Sequence, residues 1–323
     1  MKLVILIPAF NEQDSIQQVV KSVPRALDGI SEVIVLVVDD GSSDETSTLA
    51  KQAGAIVVSH SQNRGVGAAF NTGLTKALEL GANVMVNIDA DGQFSPSDIP
   101  LLIGPIVAGK ADFVSGDRFT DKNGLSSRPE YMSKLKYWGN KQMSHLISLL
   151  TQKHFTDVSC GFRAYSREAM LRMNLTRNFT YTQESFIDLA NKDLDIKLVP
   201  VNVKYFKGRK SRVAGNLFKY IGRTINIISR AYRDYRPLRF FTWLGVLPFF
   251  AGLGLGIFTL IHYINTGSIT PYKSLAIIGI YLVTLGLVFW ILGLLADMFV
   301  RIRLYQEQLL YFEKKRQYEK KND

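Results

Sequence analysis

The chain of 323 residues is long enough for one or two domains with substantial cores. Its net charge of +11 is concentrated: residues 204–239 hold eleven Lys/Arg against one acid and residues 301–323 seven against four, so the remainder is slightly acidic. That distribution argues against a nucleic-acid coat, and a single cysteine, Cys160, excludes an intrachain disulfide framework.

Apolar runs at 3–7, 33–38, 55–59, 83–88 and 112–115 read as strands. Helical patterns at 14–27, 44–52, 66–80 and 97–108 lie between them. This rhythm predicts an α/β fold with a mainly parallel sheet covered on both faces. Met1-Lys2 leads directly into the first strand, which is too short for a signal core, so the soluble part is expected in the cytoplasm. The rhythm breaks after Gly116. Residues 117–133 are polar, with Gly124 and Pro129, and read as a mobile loop. Residues 137–150 and 183–191 read as helices, 157–165 as a loop and strand, and 195–203 as the end of the sheet. A basic loop is expected at 207–212. From Gly215 to Arg233, Leu217, Tyr220, Ile221, Ile225 and Ile228 share helical spacing with Lys219, Arg223 and Arg230, the pattern of a helix lying in a membrane interface.

Two apolar segments, 240–263 and 275–299, have the length needed to cross a bilayer. The loop between them carries one Lys, whereas both outer flanks are rich in Arg. The positive-inside rule then puts both termini and the N-terminal domain on the cytoplasmic side of the inner membrane. Asp297 is expected to pair with Arg301 one turn on. The layout is therefore a catalytic domain at 1–210, juxtamembrane helices at 211–239, two spans within 240–300 and a basic tail at 301–323.

Three polar motifs follow strands, and in open parallel sheets that edge binds ligands. Pro8-Ala9-Phe10-Asn11-Glu12 closes the first strand, and caps at a strand-to-helix turn would explain it equally well. Asp39-Asp40-Gly41-Ser42-Ser43 closes the second, where a carboxylate can accept from a nucleobase edge or a ribose hydroxyl. Asn63-Arg64-Gly65-Val66-Gly67 opens a helix but lacks the spacing of a dinucleotide fingerprint. Asp89-Ala90-Asp91 is the sharpest of these features. Residues two apart in extended chain point the same way, so both carboxylates can face one Mg²⁺ or Mn²⁺ that substrate phosphates complete. Gln93 can add a neutral oxygen. The four histidines, His60, His145, His154 and His262, have no metal-ligand spacing.

PAFNE, VDDGSSDET and NIDADGQF, in this order and at these distances, resemble the GT-A nucleotide-sugar domain of family 2 glycosyltransferases. With two C-terminal spans, the chain is most similar to polyprenyl-phosphate glycosyltransferases of the dolichyl-phosphate mannosyltransferase and bactoprenol glucosyltransferase kind. The resemblance implies a Rossmann-like GT-A domain in which Pro8, Ala9, Asn11, Glu12 and Asp40 hold the nucleoside. Asp89, Ala90 and Asp91 then meet ribose, diphosphate and metal, with Gln93 as a further ligand. Gln183-Glu184-Ser185-Phe186-Ile187 does not match the processive QxxRW motif, so one transfer per acceptor is expected. The implied reaction is inverting transfer of a hexose to undecaprenyl or dolichyl phosphate, with UDP-glucose the first donor and GDP-mannose the second. A diacylglycerol acceptor and a nucleotide-sugar-binding scaffold are the rivals. A downstream flippase, a second transferase and a homo-oligomer are the further expected partners.

Arg118, Arg128 and Arg212 suit the acceptor phosphate, because a guanidinium fork matches phosphate oxygens; Arg118 is also a candidate diphosphate ligand. Asp157, in Thr156-Asp157-Val158-Ser159-Cys160-Gly161-Phe162-Arg163, matches the family's position for a catalytic base. A phosphate monoester is already largely a dianion at neutral pH, so Asp157 can equally serve to orient Arg163 or an acceptor-binding Arg. Both readings stay open on sequence.

Overall fold

The computed structural model describes residues 1–121, 125–174, 181–204, 233 and 236–319. Two compact units emerge: Met1–Gly215 together with Leu310–Asp323, and Asn216–Leu309.

In the first unit, the described residues form a seven-stranded sheet: β1 (Lys2–Ala9), β2 (Glu32–Asp39), β3 (Ile56–Ser59), β4 (Val84–Asn87), β5 (Phe113–Asp117), β6 (Arg163–Ser166) and β7 (Ile196–Pro200). The order is β3-β2-β1-β4-β6-β5-β7. Pairs β1–β2, β1–β4, β2–β3 and β5–β7 are parallel, whereas β6 runs antiparallel to both β4 and β5. Six strands therefore end at one edge, and β6 begins there. This reversal matters for the site. It delivers the loop before β6 to the same edge as the ends of β4 and β5, with Arg163 opposite Asn87 and Ser115.

Helices α1 (Ile16–Ser22), α2 (Thr46–Gln52), α3 (Val66–Glu79), α4 (Ile99–Val107), α5 (Lys134–Thr151), α6 (Arg167–Arg172) and α7 (Tyr181–Asn191) cover the sheet or flank it. Leu3, Ile5 and Ile7 join Ile16, Val20, Ile99 and Leu102 in one continuous core, as expected for strands without a polar face. Helix α1 ends earlier than its apolar periodicity predicts. Pro24 forces Val23 into extended backbone, φ −65° and ψ 123°, which stops the helix. Helix α6 has no counterpart in the sequence reading. It starts on a local cap, Ser166 accepting from the Ala169 amide, with Glu168 in its first turn.

The second unit contains α8 (Pro237–Thr266) and most of α9 (Lys273–Glu319). Both are long and apolar enough to cross a membrane, with mean hydropathy of 2.1 and 2.6 in their most apolar windows. Only 17% and 11% of those windows are buried within the chain, unlike core helices of a soluble domain. The two helices approach closely at small residues: a β-carbon on Gly252 would lie 2.6 Å from the Gly279 carbonyl oxygen. Asp297 and Arg301 form the expected pair at 3.3 Å.

The basic tail continues helical to Glu319, and its last turns belong to the first unit. Tyr311 donates to Glu168 at 3.0 Å, and Arg172 lies over the Tyr311 ring. The Lys314 ammonium donates to the Met173 carbonyl and to Asn174 Oδ1, while Arg167 donates to the Tyr318 carbonyl. Tyr318 is itself buried. Replacing Tyr311 and Lys314 together by alanine is expected to destabilise the first unit by about 1–3 kcal/mol, since each partly exposed hydrogen bond contributes about 1 kcal/mol. Thermal unfolding of the full chain in detergent checks this.

Candidate active site

The strand ends at the parallel edge are cross-tied before any ligand arrives. Asn11, at left-handed φ +53°, receives the Ser43 amide on Oδ1, and its own amide donates to Ser42 Oγ. The Glu12 amide donates to Thr46 Oγ1. These bonds join the end of β1 to the end of β2 and hold Pro8, Ala9, Asn11 and Glu12 in one loop pair with Asp39 and Asp40.

Asp40 is deeply buried and already committed. Its Oδ1 receives His60 Nδ1 at 2.6 Å and the Arg64 amide at 3.0 Å, and its Oδ2 receives the Gly65 amide at 2.7 Å. His60 Nε2 pairs with Thr72 Oγ1 at 2.9 Å. Asp40 thus anchors the 60–65 loop over the sheet edge. Sequence reasoning did not single out His60, and no signal in the chain marks it as the partner.

Asp89 and Asp91 follow β4 on a turn closed by the Gln93 amide, which donates to Asp91 Oδ1 at 3.0 Å. Burial and the neighbouring Asp91 charge push the Asp89 carboxyl up to about 6, against the pull of Arg118 and Arg163. Arg118 and Arg163 reach Asp89 and Lys136 reaches Asp91 with positive charge, yet burial and the repulsion between the two acids still prevail at Asp89. Among the described residues no cluster of three or more His, Cys, Asp or Glu surrounds a common point. Asp89 and Asp91 thus offer two carboxylates on one turn. That suits Mg²⁺ or Mn²⁺, which retain ligand positions for water and phosphate.

The loop before β6 packs onto this pair. Asn87, fully buried, donates to the Gly161 carbonyl at 2.8 Å. A β-carbon on Gly161 would lie 2.6 Å from Asp89 Oδ2 and 2.9 Å from Oδ1. Gly161→Ala should therefore rotate the Asp89 carboxylate out of place. We expect about a tenfold or greater loss of kcat/KM with little change in unfolding temperature, measured side by side on the purified variant.

Asp157 is fully buried and grips Arg118. The guanidinium donates through Nε at 2.7 Å and Nη2 at 2.9 Å, and the Arg118 amide and the Ser159 amide also donate to the carboxylate. Burial alone would raise the Asp157 carboxyl; the charge and hydrogen bonds of Arg118 outweigh it and hold the group below its ordinary value. Arg163 has a different task from the one considered on sequence. It is fully buried and donates to the carbonyls of Cys160, Thr182 and Val158, between the rings of Phe113 and Phe186. It staples the 158–160 loop to the start of α7, where Tyr181 stacks on Phe70. Neither Arg163 nor Tyr181 could be given this place from sequence, because only the fold brings these segments together.

Arg118 also lines an open cavity of about 440 Å³ with Thr120, Ser127, Arg128, Pro129 and Asn202. Arg128 is tied back by a bond from its guanidinium to the Met132 carbonyl. The cavity stays close to the acidic pair: Lys204, one residue beyond its edge, donates its amide to the Gln93 carbonyl at 2.9 Å. The structure thus brings Arg118 and Arg128 together. Arg212, the 207–212 loop and residues 215–232 of the expected interfacial helix lie outside the described residues.

Comparison with known proteins agrees with this fold. The profile of glycosyl transferase family 2 matches residues 4–172. A UDP-N-acetylglucosamine–dolichyl-phosphate N-acetylglucosaminyltransferase of Methanococcus voltae is 32% identical over 221 residues, 62% of this chain and 85% of that protein. Glycosyltransferase AglJ of Haloferax volcanii is 28% identical over 310 residues, 96% of each chain. Among solved structures, glucosyl-3-phosphoglycerate synthase of Mycobacterium tuberculosis, in complex with Mn²⁺, UDP-glucose and phosphoglyceric acid, superposes with a TM-score of 0.54 at 21% identity. That match covers 72% of this chain and 78% of the other, and establishes the shared α/β fold. The profile match over more than half of the chain, set on this sheet edge, makes it a glycosyltransferase belonging to glycosyl transferase family 2.

Proposed function

We propose that the protein transfers a hexose, with inversion, from a nucleotide sugar to the phosphate of a polyprenyl phosphate at a membrane. One observation carries this reading: Arg118, locked by the buried Asp157 carboxylate, lines an open cavity while its charge also reaches Asp89. A fixed guanidinium beside an acidic pair suits two anions that must approach one another, the donor diphosphate and the acceptor phosphate. The name of the Methanococcus voltae relative, a transferase to dolichyl phosphate, supports the acceptor class. Two membrane-length helices support a reactant that stays in the bilayer.

Asp89, Asp91 and Gln93 would hold Mg²⁺ or Mn²⁺, which neutralises the leaving diphosphate when bound. Pro8, Ala9, Asn11 and Glu12 line the nucleoside side, and Asp40 shapes it by holding the 63–65 backbone. Arg118 and Arg128 receive the acceptor phosphate, and Arg212 is assigned to the same group. The phosphate dianion needs no deprotonation before attack, so Asp157 acts through Arg118. A lipid hydroxyl such as that of diacylglycerol would need a base, and a carboxylate held low and fully paired is poorly suited to be one.

UDP-glucose is the first donor proposed and GDP-mannose the second; the Methanococcus relative adds UDP-N-acetylglucosamine to the comparison. The test incubates purified full-length protein with Mn²⁺, undecaprenyl phosphate and each labelled donor, then follows label into the organic phase. Acid-labile, alkali-stable prenyl-linked label supports the reading. Transfer to diacylglycerol in its place, or transfer with none of the donors, overturns it.

A further inference from the structure

The stretch from Leu125 to Lys141 does more than border the cavity. Four large apolar or aromatic side chains there face solvent: Leu125 is 66% exposed, Tyr131 63%, Leu135 55% and Trp138 57%. Scattered apolar residues on a surface need no explanation, but a cluster does. All four lie in one short stretch of chain. Leu135 and Trp138 are three apart on α5 and share a face. Ser126, next to Leu125, is hydrogen-bonded to the Tyr137 hydroxyl at 3.1 Å, which ties the loop to the first turns of the helix. Arg128 bonds to the Met132 carbonyl, which holds the Tyr131 turn in place.

The same stretch carries Arg128, Lys134, Lys136 and Lys141 against one acid, Glu130. Elsewhere, outside the two basic regions that flank the apolar helices, the chain is slightly acidic. Aromatic rings with one polar end, aliphatic side chains and interleaved cations are the composition of a surface that sits at lipid headgroups. A protein partner would be expected to meet fewer lysines at the centre of its patch. The patch also adjoins the chemistry, since Ser127, Arg128, Pro129 and Glu130 line the cavity that contains Arg118.

We propose that this face docks the catalytic unit on an anionic lipid surface, with Leu125, Tyr131, Leu135 and Trp138 dipping past the headgroups and the exposed Lys134 and cavity-lining Arg128 meeting lipid phosphates. Its purpose rests on the reading given under Proposed function: the docked face sets the cavity mouth at the depth of a lipid-borne phosphate. Docking would then shorten the path of the acceptor headgroup to Arg118 and Arg128.

The chain has three tryptophans, Trp138, Trp243 and Trp290. Full-length protein carrying Trp243→Phe and Trp290→Phe leaves Trp138 as the reporter in liposomes containing anionic lipid. Lipids brominated on the acyl chain should quench Trp138 fluorescence by about half, and Leu135→Glu should remove most of that quenching. In otherwise wild-type protein, Leu135→Glu with Trp138→Glu should raise the apparent KM for undecaprenyl phosphate in liposomes by about tenfold, with turnover of a short, water-soluble prenyl phosphate unchanged. Trp138 that is unquenched by brominated lipid and open to acrylamide would overturn the proposal. So would Trp138 shielded from both reagents, the result expected if a second copy covers the patch. If quenching persists but no prenyl phosphate accepts sugar, the proposed acceptor fails while the docking surface stands.

Discussion

Asp91→Ala is expected to remove transfer of labelled sugar to the organic phase, a loss of about 10³-fold or more, while the catalytic unit stays folded. The two parts of this expectation have one cause. Asp91 is half-buried beside Asp89, and its charge is one of the two main reasons that the Asp89 carboxyl rises to about 6. Two carboxylates that repel each other in the metal-free protein are a cost to folding, kept for what they bind. Raised above its unfolded value of 3.8, Asp89 contributes stability that is complete below that value and lost as pH rises through about 6. Removing Asp91 relieves part of this loss, so metal-free Asp91→Ala should unfold at or slightly above the wild-type temperature at pH 7.5. Adding Mn²⁺ should raise the wild-type unfolding temperature and leave that of the variant unmoved. Proton and metal also compete for Asp89, so wild-type Mn²⁺ affinity should fall by about tenfold per pH unit below 6. Full activity in Asp91→Ala, or a melting shift with Mn²⁺ equal to that of wild type, would refute the assignment.

The parts of this site that were legible in sequence are those written locally. Asp89 and Asp91 follow a run of buried apolar residues, and the polar ends of β1 and β2 do the same, so strand-end chemistry and a parallel sheet could be read together. What could not be read depends on pairings distant in sequence. The reversed β6 is four residues long and looks like any short apolar strand; nothing in Arg163-Ala164-Tyr165-Ser166 says that it lies antiparallel between β4 and β5. Yet that reversal brings Gly161 against Asp89 and Asp157 against Arg118, 39 residues away. Asp40 shows the same limit from the other side. Its motif was legible but its partner His60 was not: the carboxylate that the resemblance assigns to the nucleoside also holds the 60–65 loop. Charge alone places the tail near the membrane flank and does not show that Tyr311, Lys314 and Tyr318 bond to α6 and the two residues after it.

Arg118→Ala and Asp157→Asn should fail in different ways, and the difference separates a catalytic base from a positioning residue. In Arg118→Ala the fully buried Asp157 carboxylate loses its bidentate partner. Leaving such a charge unpaired costs about 3–5 kcal/mol, so this variant should be strongly destabilised as well as inactive. Asp157→Asn keeps the shape of the side chain and removes the charge. It should be milder in stability and should raise KM for the prenyl phosphate, because Arg118 is no longer fixed, while keeping measurable kcat. Sign and pH window follow from the lowered Asp157 carboxyl. Its contribution to stability is present above the unfolded value and lost as pH falls through the still lower folded one. The stability gap between wild type and Asp157→Asn should thus be constant at neutral pH and close only below about 4. Activity tells the rest. At saturating Mn²⁺ the acid limb of the rate should follow the second ionisation of the acceptor phosphate, near 6, in both wild type and Asp157→Asn. An Asp157→Asn enzyme with no detectable turnover on a phosphate acceptor, in a chain that still melts cooperatively, would restore Asp157 as the base and return the lipid hydroxyl to consideration.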